Sequence, residues 1–451
     1  MPKQDSPRGQ ETLKIIARRR IDPVSSRFLT GVTPRALRVP AAYFFSMQSR
    51  FLRTAIPLGL LSAIGPFAID MYLPALPAIG RSLQAQTSAV QMSLTVFFIA
   101  LSVGQSIYGP LSDMIGRKRP LYLGLTLFSI GSVGCALAPN IGVLIGFRFV
   151  QGIGACAGMV IPRAMVRDLH TGIDATRLMS LLMLVFSISP ILAPLTGSFV
   201  IQAAGWRAVF WVVLAAAVIG WMILGTVSET RPPEARAKSS IRGAVTAYGV
   251  LLRDRHFLAL AFIGAFGISS FFVYLSNSPF VLIEHYHLSP RLFSVCFSVN
   301  AASFFAMAQL NGRLATRFGL RPLVRSAVTV YASVMLVLLA TFAAGVDRLD
   351  VLLGCLFVGF GCLGLVIPTT AVLALEDHGA MAGTASAIMG TVQFVTGAVI
   401  MFFVGTLLNG TALPMVGAIA SCATAALILA HVALRAHRPQ SAPATAATDC
   451  E

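Results

Sequence analysis

Residues 108–120 of the 451-residue chain read YGPLSDMIGRKRP, a charged segment between two apolar runs. Those runs, at about 90–112 and 120–138, are each long enough to cross about 30 Å of hydrocarbon as a helix. Ten similar runs flank them, and we therefore predict an all-α integral membrane protein with twelve transmembrane helices. The other ten lie at about 54–80, 141–165, 177–203, 208–228, 257–283, 291–313, 322–343, 349–375, 381–408 and 411–434.

The composition excludes a soluble protein. Hydrophobic residues make up 56% of the chain and charged residues 11%, whereas a soluble domain carries roughly a quarter charged residues. The net charge of +17 would suggest nucleic acid as a partner, but 29 of the 34 Lys and Arg fall in alternate loops and the tails. Four lie in the intervening loops and one inside a span. This asymmetry predicts that both termini are cytoplasmic and that nucleic acid is not a partner.

The chain repeats. Gly109, Leu111 and Gly116 recur 203 residues later as Gly312, Leu314 and Gly319, and CAGMVIP at 156–162 recurs 206 residues later as CLGLVIP at 362–368. Such repeats predict two six-helix halves, with a site between them near the midplane. The predicted boundaries are 54–228 and 257–434 for the halves, 229–256 for a cytoplasmic linker, and 1–53 and 435–451 for cytoplasmic tails.

The basic N-terminal segment allows three interpretations. It is a cytoplasmic tail, or the extra part of an overlong start, since Met47 stands just before the first span, or an organellar transit peptide.

Two ionisable residues stand deep within apolar runs. Asp70 is the single acid there and Arg148 the single base. Because hydrocarbon penalises charge by several kcal/mol, such residues usually face a cavity, and we predict a proton or substrate-charge site at Asp70 and Arg148. A rearrangement that changes their separation would bind or release a proton, which is our hypothesis for proton coupling. The alternative is a fixed ion pair that only helps the helices to pack.

The fifth span contains Pro190, Pro194 and Gly197, which predict a hinge, because each proline removes a helix hydrogen bond. The His and Cys residues show no metal-ligand spacing. Glycine patterns such as Gly359, Gly361 and Gly364 lie inside spans, and no Walker A sequence occurs. We therefore expect no metal, no cofactor and no ATP-driven step by this chain alone; the proton gradient is the expected energy source.

Four motifs resemble the major facilitator superfamily, its drug:proton antiporters with twelve spans and, among these, the bicyclomycin-resistance (Bcr/CflA) group. They are FAIDMYLPALP at 67–77, YGPLSDMIGRKRP at 108–120, RFVQGIGACAG at 148–158 and SISPILAPLTG at 187–197. SPF at 278–280 and LNGRL at 310–314 are also similar to the second half of that group.

The resemblance implies roles for particular residues. A charge latch that favours one access state would be formed by Gly109, Asp113, Gly116, Arg117, Lys118 and Arg119, and Arg148 would match the coupling arginine. The sequence departs from the family pattern at Met114, where an Arg is usual, and at Thr316, where the second half would have an Asp. Ser189, Ala193 and Ser198 replace glycines of the fifth-span motif.

The resemblance predicts a proton-coupled exporter of antibiotics or other small amphipathic drugs, a monomer in the bacterial inner membrane working by alternating access. The alternative is proton-coupled transport of a metabolite such as an amino acid or sugar. A membrane enzyme and a sensor with a transporter fold are weaker alternatives, because there is neither a catalytic constellation nor an appended domain. Predicted cavity residues are Tyr72, Gln151, Tyr274, Asn277, Asn300 and Gln393.

Overall fold

The computed structural model describes residues 41–169, 172–234, 246, 248–376, 378, 381–407 and 410–435. Contacts divide the chain into a short unit, Met1–Phe51, and a large unit, Leu52–Glu451. The described residues of the short unit are the first turns of a helix. The large unit is helical and its described residues include no β-strand, which confirms the predicted all-α class. The predicted tail residues 1–40 and 436–451 lie outside the described residues.

Most helices follow one another with short connections, and residues 227–254 separate the helices of the first part of the chain from those of the second. In the first part of the chain they are α1 (Ala41–Asp70), α2 (Leu76–Ser82), α3 (Thr87–Ile115), α4 (Lys118–Ala136), α5 (Ile141–Leu169), α6 (Gly172–Ala204) and α7 (Trp206–Thr226). In the second part they are α8 (Arg255–Pro279), α9 (Pro290–Phe318), α10 (Leu320–Ala343), α11 (Leu349–Glu376), α12 (Ala382–Thr406) and α13 (Leu413–Arg435).

Eleven helical stretches within the described residues are long and apolar enough to cross a membrane. The twelfth predicted span corresponds to α4, a helix of 19 residues whose apolar part is shorter because it begins with Lys118 and Arg119. Burial of α4 against α5 and α7 places it among the other spans. The protein is therefore a multi-pass membrane protein.

The first span is interrupted where a single helix at 54–80 was predicted. Helix α1 begins at Ala41 and ends at Asp70; a turn, a 3-10 segment at Leu73–Ala75 and then α2 follow. Pro74 and Pro77 account for the break, because proline lacks an N–H and disfavours α geometry in the preceding residue. The interruption leaves Asp70 at a helix end.

Helix packing explains the small residues within the spans. Helices α3 and α4 pack against α5, helices α8 to α13 pack against one another, and the pairs α3–α12 and α6–α9 join the two groups. A Cβ atom at Gly154 would lie 2.7 Å from the Cα of Phe128 on α4, and one at Gly364 would lie 3.0 Å from the backbone N of Ala308 on α9. These glycines therefore let helix backbones approach closely.

Candidate functional site

A cavity of about 460 Å³ lies between α1, α3, α5 and α6 on one side and α8, α9, α11 and α12 on the other. Its wall is mostly apolar and rich in phenylalanine. Some of the rings pack in pairs: Phe98 and Phe272 lie 4.4 Å apart between centroids, and Phe272 stacks on Phe394 at 5.6 Å. The seven phenylalanines of the wall are Phe98, Phe186, Phe271, Phe272, Phe304, Phe305 and Phe394, and its polar side chains are Asp70, Gln105, Arg163, Ser386 and Gln393.

The cavity extends toward one face of the protein. We call this face the linker side, because α3 ends there at Ile115 and α8 begins there at Arg255. The lining reaches Leu375, one residue before the end of α11, and Arg163, six residues before the end of α5. Both helices end on the linker side, so the cavity runs from the membrane interior to that face.

The opposite face, the far side, is held together by bonds between the two groups of helices. Gln91 Nε2 donates to Asn277 Oδ1 at 3.0 Å. Ser294 Oγ donates to the carbonyl of Pro194 at 2.9 Å, and Ser298 Oγ donates to the carbonyl of Ile191 at 2.7 Å. An exposed ion pair, Arg81 with Glu284 at 3.7 Å, lies beyond them. The site is therefore closed on the far side.

Asp70 lies in the wall of the cavity and is 3% exposed. Ser189 Oγ of α6 donates a hydrogen bond to Asp70 Oδ2 at 3.5 Å. A Cβ atom at Gly197 would lie 2.9 Å from the Cα of Met71, so α6 passes close to the turn after Asp70. Among the described residues, Asp70 has no cation within ion-pairing distance. Asp70 is therefore a buried carboxyl group in the cavity wall that accepts a hydrogen bond from a hydroxyl group, that of Ser189.

Arg148 lies outside the cavity, in a pocket of its own. Its guanidinium packs between the rings of Tyr72 and Phe97, 4.5 and 4.1 Å from their centroids. Nη1 donates to Gln151 Oε1 at 2.6 Å and to the carbonyl of Ala68 at 3.4 Å. Nε and Nη2 have no hydrogen-bond partner in the described part of the chain. Arg148 is thus a buried cation with unused donors, held two residues from Asp70 through the backbone of α1.

The six predicted cavity residues are dispersed. Only Gln393 lines the cavity. Tyr72 and Gln151 belong to the Arg148 pocket, where Tyr72 Oη is 2.8 Å from Ser93 Oγ. Asn300 Nδ2 donates to Tyr274 Oη at 3.1 Å within the second group of helices, and Asn277 bonds with Gln91 across the closed far side. Each of these five side chains thus bonds a polar group elsewhere in the protein, as burial favours, although Gln91 Oε1 has no partner among the described residues.

Sequence reasoning missed Arg163. It was counted with the loop residues because it stands near the end of an apolar run, but α5 continues to Leu169. Its side chain lines the cavity, its guanidinium carbon is 4.8 Å from the ring centroid of Phe186, and its Nε is buried without a hydrogen-bond partner among the described residues. The available signal was its position, 15 residues after Arg148 in the same uninterrupted helix.

The residues of the predicted latch differ in their surroundings. Arg117 is 4% exposed; it bonds Asp168 twice, at 2.7 and 3.2 Å, Ser112 at 2.8 Å and Asp113 at 2.8 Å. Glu229 accepts from the backbone N–H groups of Arg117 and Lys118.

Burial lowers the pKa of the Arg117 guanidinium, but the bonds and charges of Asp168 and Asp113 outweigh it, so its pKa is raised. Gly116 makes the turn between α3 and α4 at φ 93°, and a Cβ at Gly109 would meet nothing within 4 Å. Arg119 is exposed. The network therefore centres on Arg117 and joins the ends of α3 and α5 to the start of the linker.

The predicted hinge lies within one continuous helix, α6. Pro190 lines the cavity, Pro194 accepts from Ser294 of α9, and Gly197 faces Met71. The three residues thus contact the cavity, the second group of helices and the first span, so bending at this place would alter all three. Elsewhere, the described residues contain no group of three His, Cys, Asp or Glu that could hold a metal ion.

Two solved transporter structures share this fold. The chain superposes on a D-xylose-proton symporter with a TM-score of 0.66 at 18% sequence identity, covering 86% of this chain and 97% of that one. It also superposes on a partially occluded inward-open form of the Escherichia coli xylose transporter XylE, with a TM-score of 0.66 at 15% identity, covering 84% of this chain and 97% of that one. At these identities the likeness concerns the fold.

Sequence comparison identifies closer relatives. The chain is 37% identical over 370 residues to an uncharacterized MFS-type transporter, YdgK, of Bacillus subtilis, which covers 81% of this chain and 91% of YdgK. It is 29% identical to a bicyclomycin resistance protein homolog of Haemophilus influenzae, over 81% of this chain and 92% of that one. It is also 29% identical to a chloramphenicol resistance protein of Pseudomonas aeruginosa, over 86% and 92%. The Major Facilitator Superfamily model matches residues 58–401, and the chain therefore belongs to that superfamily.

Proposed function

We propose that the protein is a drug:proton antiporter that exports small amphipathic antibiotics by alternating access. Relatives named for resistance to bicyclomycin, to chloramphenicol and to multiple drugs match most of its length and support this function. The arrangement of helices is that of a transporter, and the cavity between the two groups of helices is the place where substrate would bind.

The observation that carries the proposal is the composition of the cavity wall. Seven phenylalanines surround a space of about 460 Å³ that contains one carboxyl group, that of Asp70. Aromatic walls bind apolar rings through burial of area and make few directional demands. Such a wall suits the flat, partly apolar bodies of drug-like compounds.

The rival function is proton-coupled transport of an amino acid or sugar. A sugar presents hydroxyl groups on all sides, and each one left without a partner in a buried site costs about 1–3 kcal/mol. The cavity offers few polar side chains for them. The wall therefore favours amphipathic compounds over sugars, whereas the likeness to a xylose symporter concerns the fold.

Coupling would use Asp70 and Arg148. With the far side closed, Asp70 faces the cavity, has no cation within ion-pairing distance among the described residues, and would release its proton to the linker side. The deprotonated carboxylate would be attracted by Arg148, whose Nε and Nη2 have no hydrogen-bond partner in the described part of the protein. Release of the Asp70 proton to the linker side as substrate binds, and uptake of a proton from the far side after substrate leaves there, would make exchange stepwise, with Pro190, Pro194 and Gly197 as the bending point.

The orientation follows from charge. The excess of Lys and Arg on the linker side supports a cytoplasmic position for that side and for both termini. Bacterial relatives support the inner membrane. The linker at 229–256 would join two six-helix halves, 54–228 and 257–434, that rock about the site. We take the monomer as the working unit.

The test is drug resistance in an efflux-deficient bacterial host. We expect wild-type protein to raise the minimal inhibitory concentration of some members of a panel with bicyclomycin, chloramphenicol and sulfonamides, and Asp70→Asn to abolish the increase. Asp350→Asn, which removes an exposed acid at the far-side end of α11, is the matched control and should behave as wild type. No increase for any drug, at confirmed membrane levels, would contradict export and favour the metabolite transporter.

A further inference from the structure

The cavity has a second charged group that the coupling scheme does not use. Arg163 is the one basic side chain among the lining residues, and it lies nearer the linker side than Asp70 does. Asp70 is the last residue of α1, deep in the first span, whereas Arg163 is six residues, or about 9 Å, from the end of α5. The two opposite charges therefore stand at different depths of one cavity.

Arg163 has few partners among the residues that the structure describes. Its guanidinium lies on the ring of Phe186, and its Nε is buried with no hydrogen-bond partner among the described residues. The ion pairs found among those residues do not include it, in contrast to Arg117, which has two carboxylates. A guanidinium inside a membrane protein is costly unless its donors are used. An anionic group inside the cavity would use them.

We propose that Arg163 binds an anionic group of the substrate while the phenylalanines hold its apolar body. This inference rests on the proposed function and names its substrate class: aromatic compounds that carry one carboxylate or a similar oxyanion. The geometry of arginine supports this class, because its planar fork donates two parallel hydrogen bonds to a carboxylate. Phe186 supplies a ring that keeps the guanidinium in place by a cation–π contact.

The protein should therefore prefer an anionic ligand to a neutral ligand of the same shape. 1-Naphthaleneacetate and 1-naphthaleneacetamide share one aromatic skeleton and differ by the charge of the terminal group. Charge-assisted hydrogen bonds are about twice as strong as neutral ones. We therefore expect the purified protein in detergent to bind the acetate at least about tenfold more tightly than the amide, as measured by isothermal titration calorimetry at pH 7.

Two variants separate recognition from a structural role. Arg163→Gln should remove the preference and leave affinity for the amide unchanged, while Arg163→Lys, which keeps the positive charge, should retain part of the preference. Arg313→Gln, at an exposed position on α9, is the control and should bind as wild type does. Matched melting temperatures of the variants would establish that the fold is intact.

Three results would overturn the inference: equal affinity of the wild type for acid and amide, no binding of the acid, or a preference that survives Arg163→Gln. The resistance assay decides independently on export. A protein that confers resistance sensitive to Asp70→Asn but shows no charge preference keeps the proposed function and loses this inference. A protein that shows the preference but confers no resistance keeps the anion site and loses the export proposal.

Discussion

The substitution Arg117→Ala tests the network at the linker side. The motif at 108–120 contains three consecutive basic residues, and sequence alone treats them alike. The structure separates them: Arg117 is buried in bonds to Asp168, Asp113 and Ser112, whereas Arg119 is exposed. We expect the effect of alanine substitution to follow this difference.

The size of the destabilisation depends mainly on the two hydrogen bonds from Arg117 to Asp168. Hydrogen bonds to charged groups contribute about 1.5–3 kcal/mol each, and breaking a buried ion pair costs about 3–5 kcal/mol. The Asp168 side chain is 12% exposed and would still accept a hydrogen bond from Thr230 in the variant. The Asp113 side chain is 42% exposed, so solvent screening reduces the contribution of its ion pair with Arg117. We expect Arg117→Ala to lower the free energy of unfolding by about 3 kcal/mol and Arg119→Ala to lower it by less than about 0.5 kcal/mol.

The assay is thermal unfolding of the purified protein in detergent. With an unfolding entropy of about 2 cal/mol/K per residue, 3 kcal/mol corresponds to a Tm lower by about 3 °C in a chain of this length. The pair Arg117→Ala and Asp168→Ala should be less damaging together than the sum of the single changes, because each alone removes the same bonds. Equal effects of Arg117→Ala and Arg119→Ala, or strict additivity with Asp168→Ala, would refute this reasoning.

Three further predictions concern packing, closure and pH. Gly154→Val should prevent accumulation of folded protein, because a side chain there meets the backbone of α4, whereas Gly146→Val on the same helix, in open space, should accumulate normally in membranes. The double substitution Ser294→Ala and Ser298→Ala removes two hydrogen bonds between the two groups of helices on the far side, each contributing about 0.5–1.5 kcal/mol. It should lengthen the distances between spin labels placed on far-side loops. Unchanged distances would show that these hydrogen bonds do not hold the far side closed. Burial raises the pKa of the Asp347 carboxyl group, but hydrogen bonds with Tyr286 and His285 lower it more, so its pKa lies below the ordinary value. The ionised carboxylate therefore stabilises the folded protein above about pH 4, and this contribution is lost as pH falls below it. Asp347→Asn should make the Tm less sensitive to acid.

Much of the fold was predictable because hydrocarbon imposes a minimum length on every span. The apolar runs therefore predicted the spans, eleven of which are long and apolar enough to cross a membrane, with α4 as the twelfth. The rarity of charge in hydrocarbon singled out Asp70, which the structure places in the cavity wall. The role of Asp70 in coupling stays a prediction. The break after Asp70 was not predicted, although Pro74 and Pro77 were the signal for it.

The faces of the helices were not predictable in the same way. Successive residues on a helix differ by about 100° in direction, and sequence alone does not fix the rotation of a span whose neighbours are unknown. Tyr274 and Asn300 were therefore selected as cavity residues for their chemistry, but they bond with each other. Arg163 was overlooked because it stands two residues before the predicted end of its span at about 165 and was treated as a residue at the membrane surface, whereas its helix continues to Leu169.

The most direct test of the central claim is transport by purified protein in proteoliposomes. The substrate is the drug against which the wild type gives most resistance, and two modes are measured: accumulation driven by an imposed proton gradient, and counterflow, in which labelled drug exchanges for unlabelled drug without a gradient. Asp70→Asn should lose gradient-driven accumulation and keep counterflow, because it keeps the cavity but not the exchangeable proton. Gradient-driven accumulation by Asp70→Asn equal to that of the wild type would contradict coupling through Asp70.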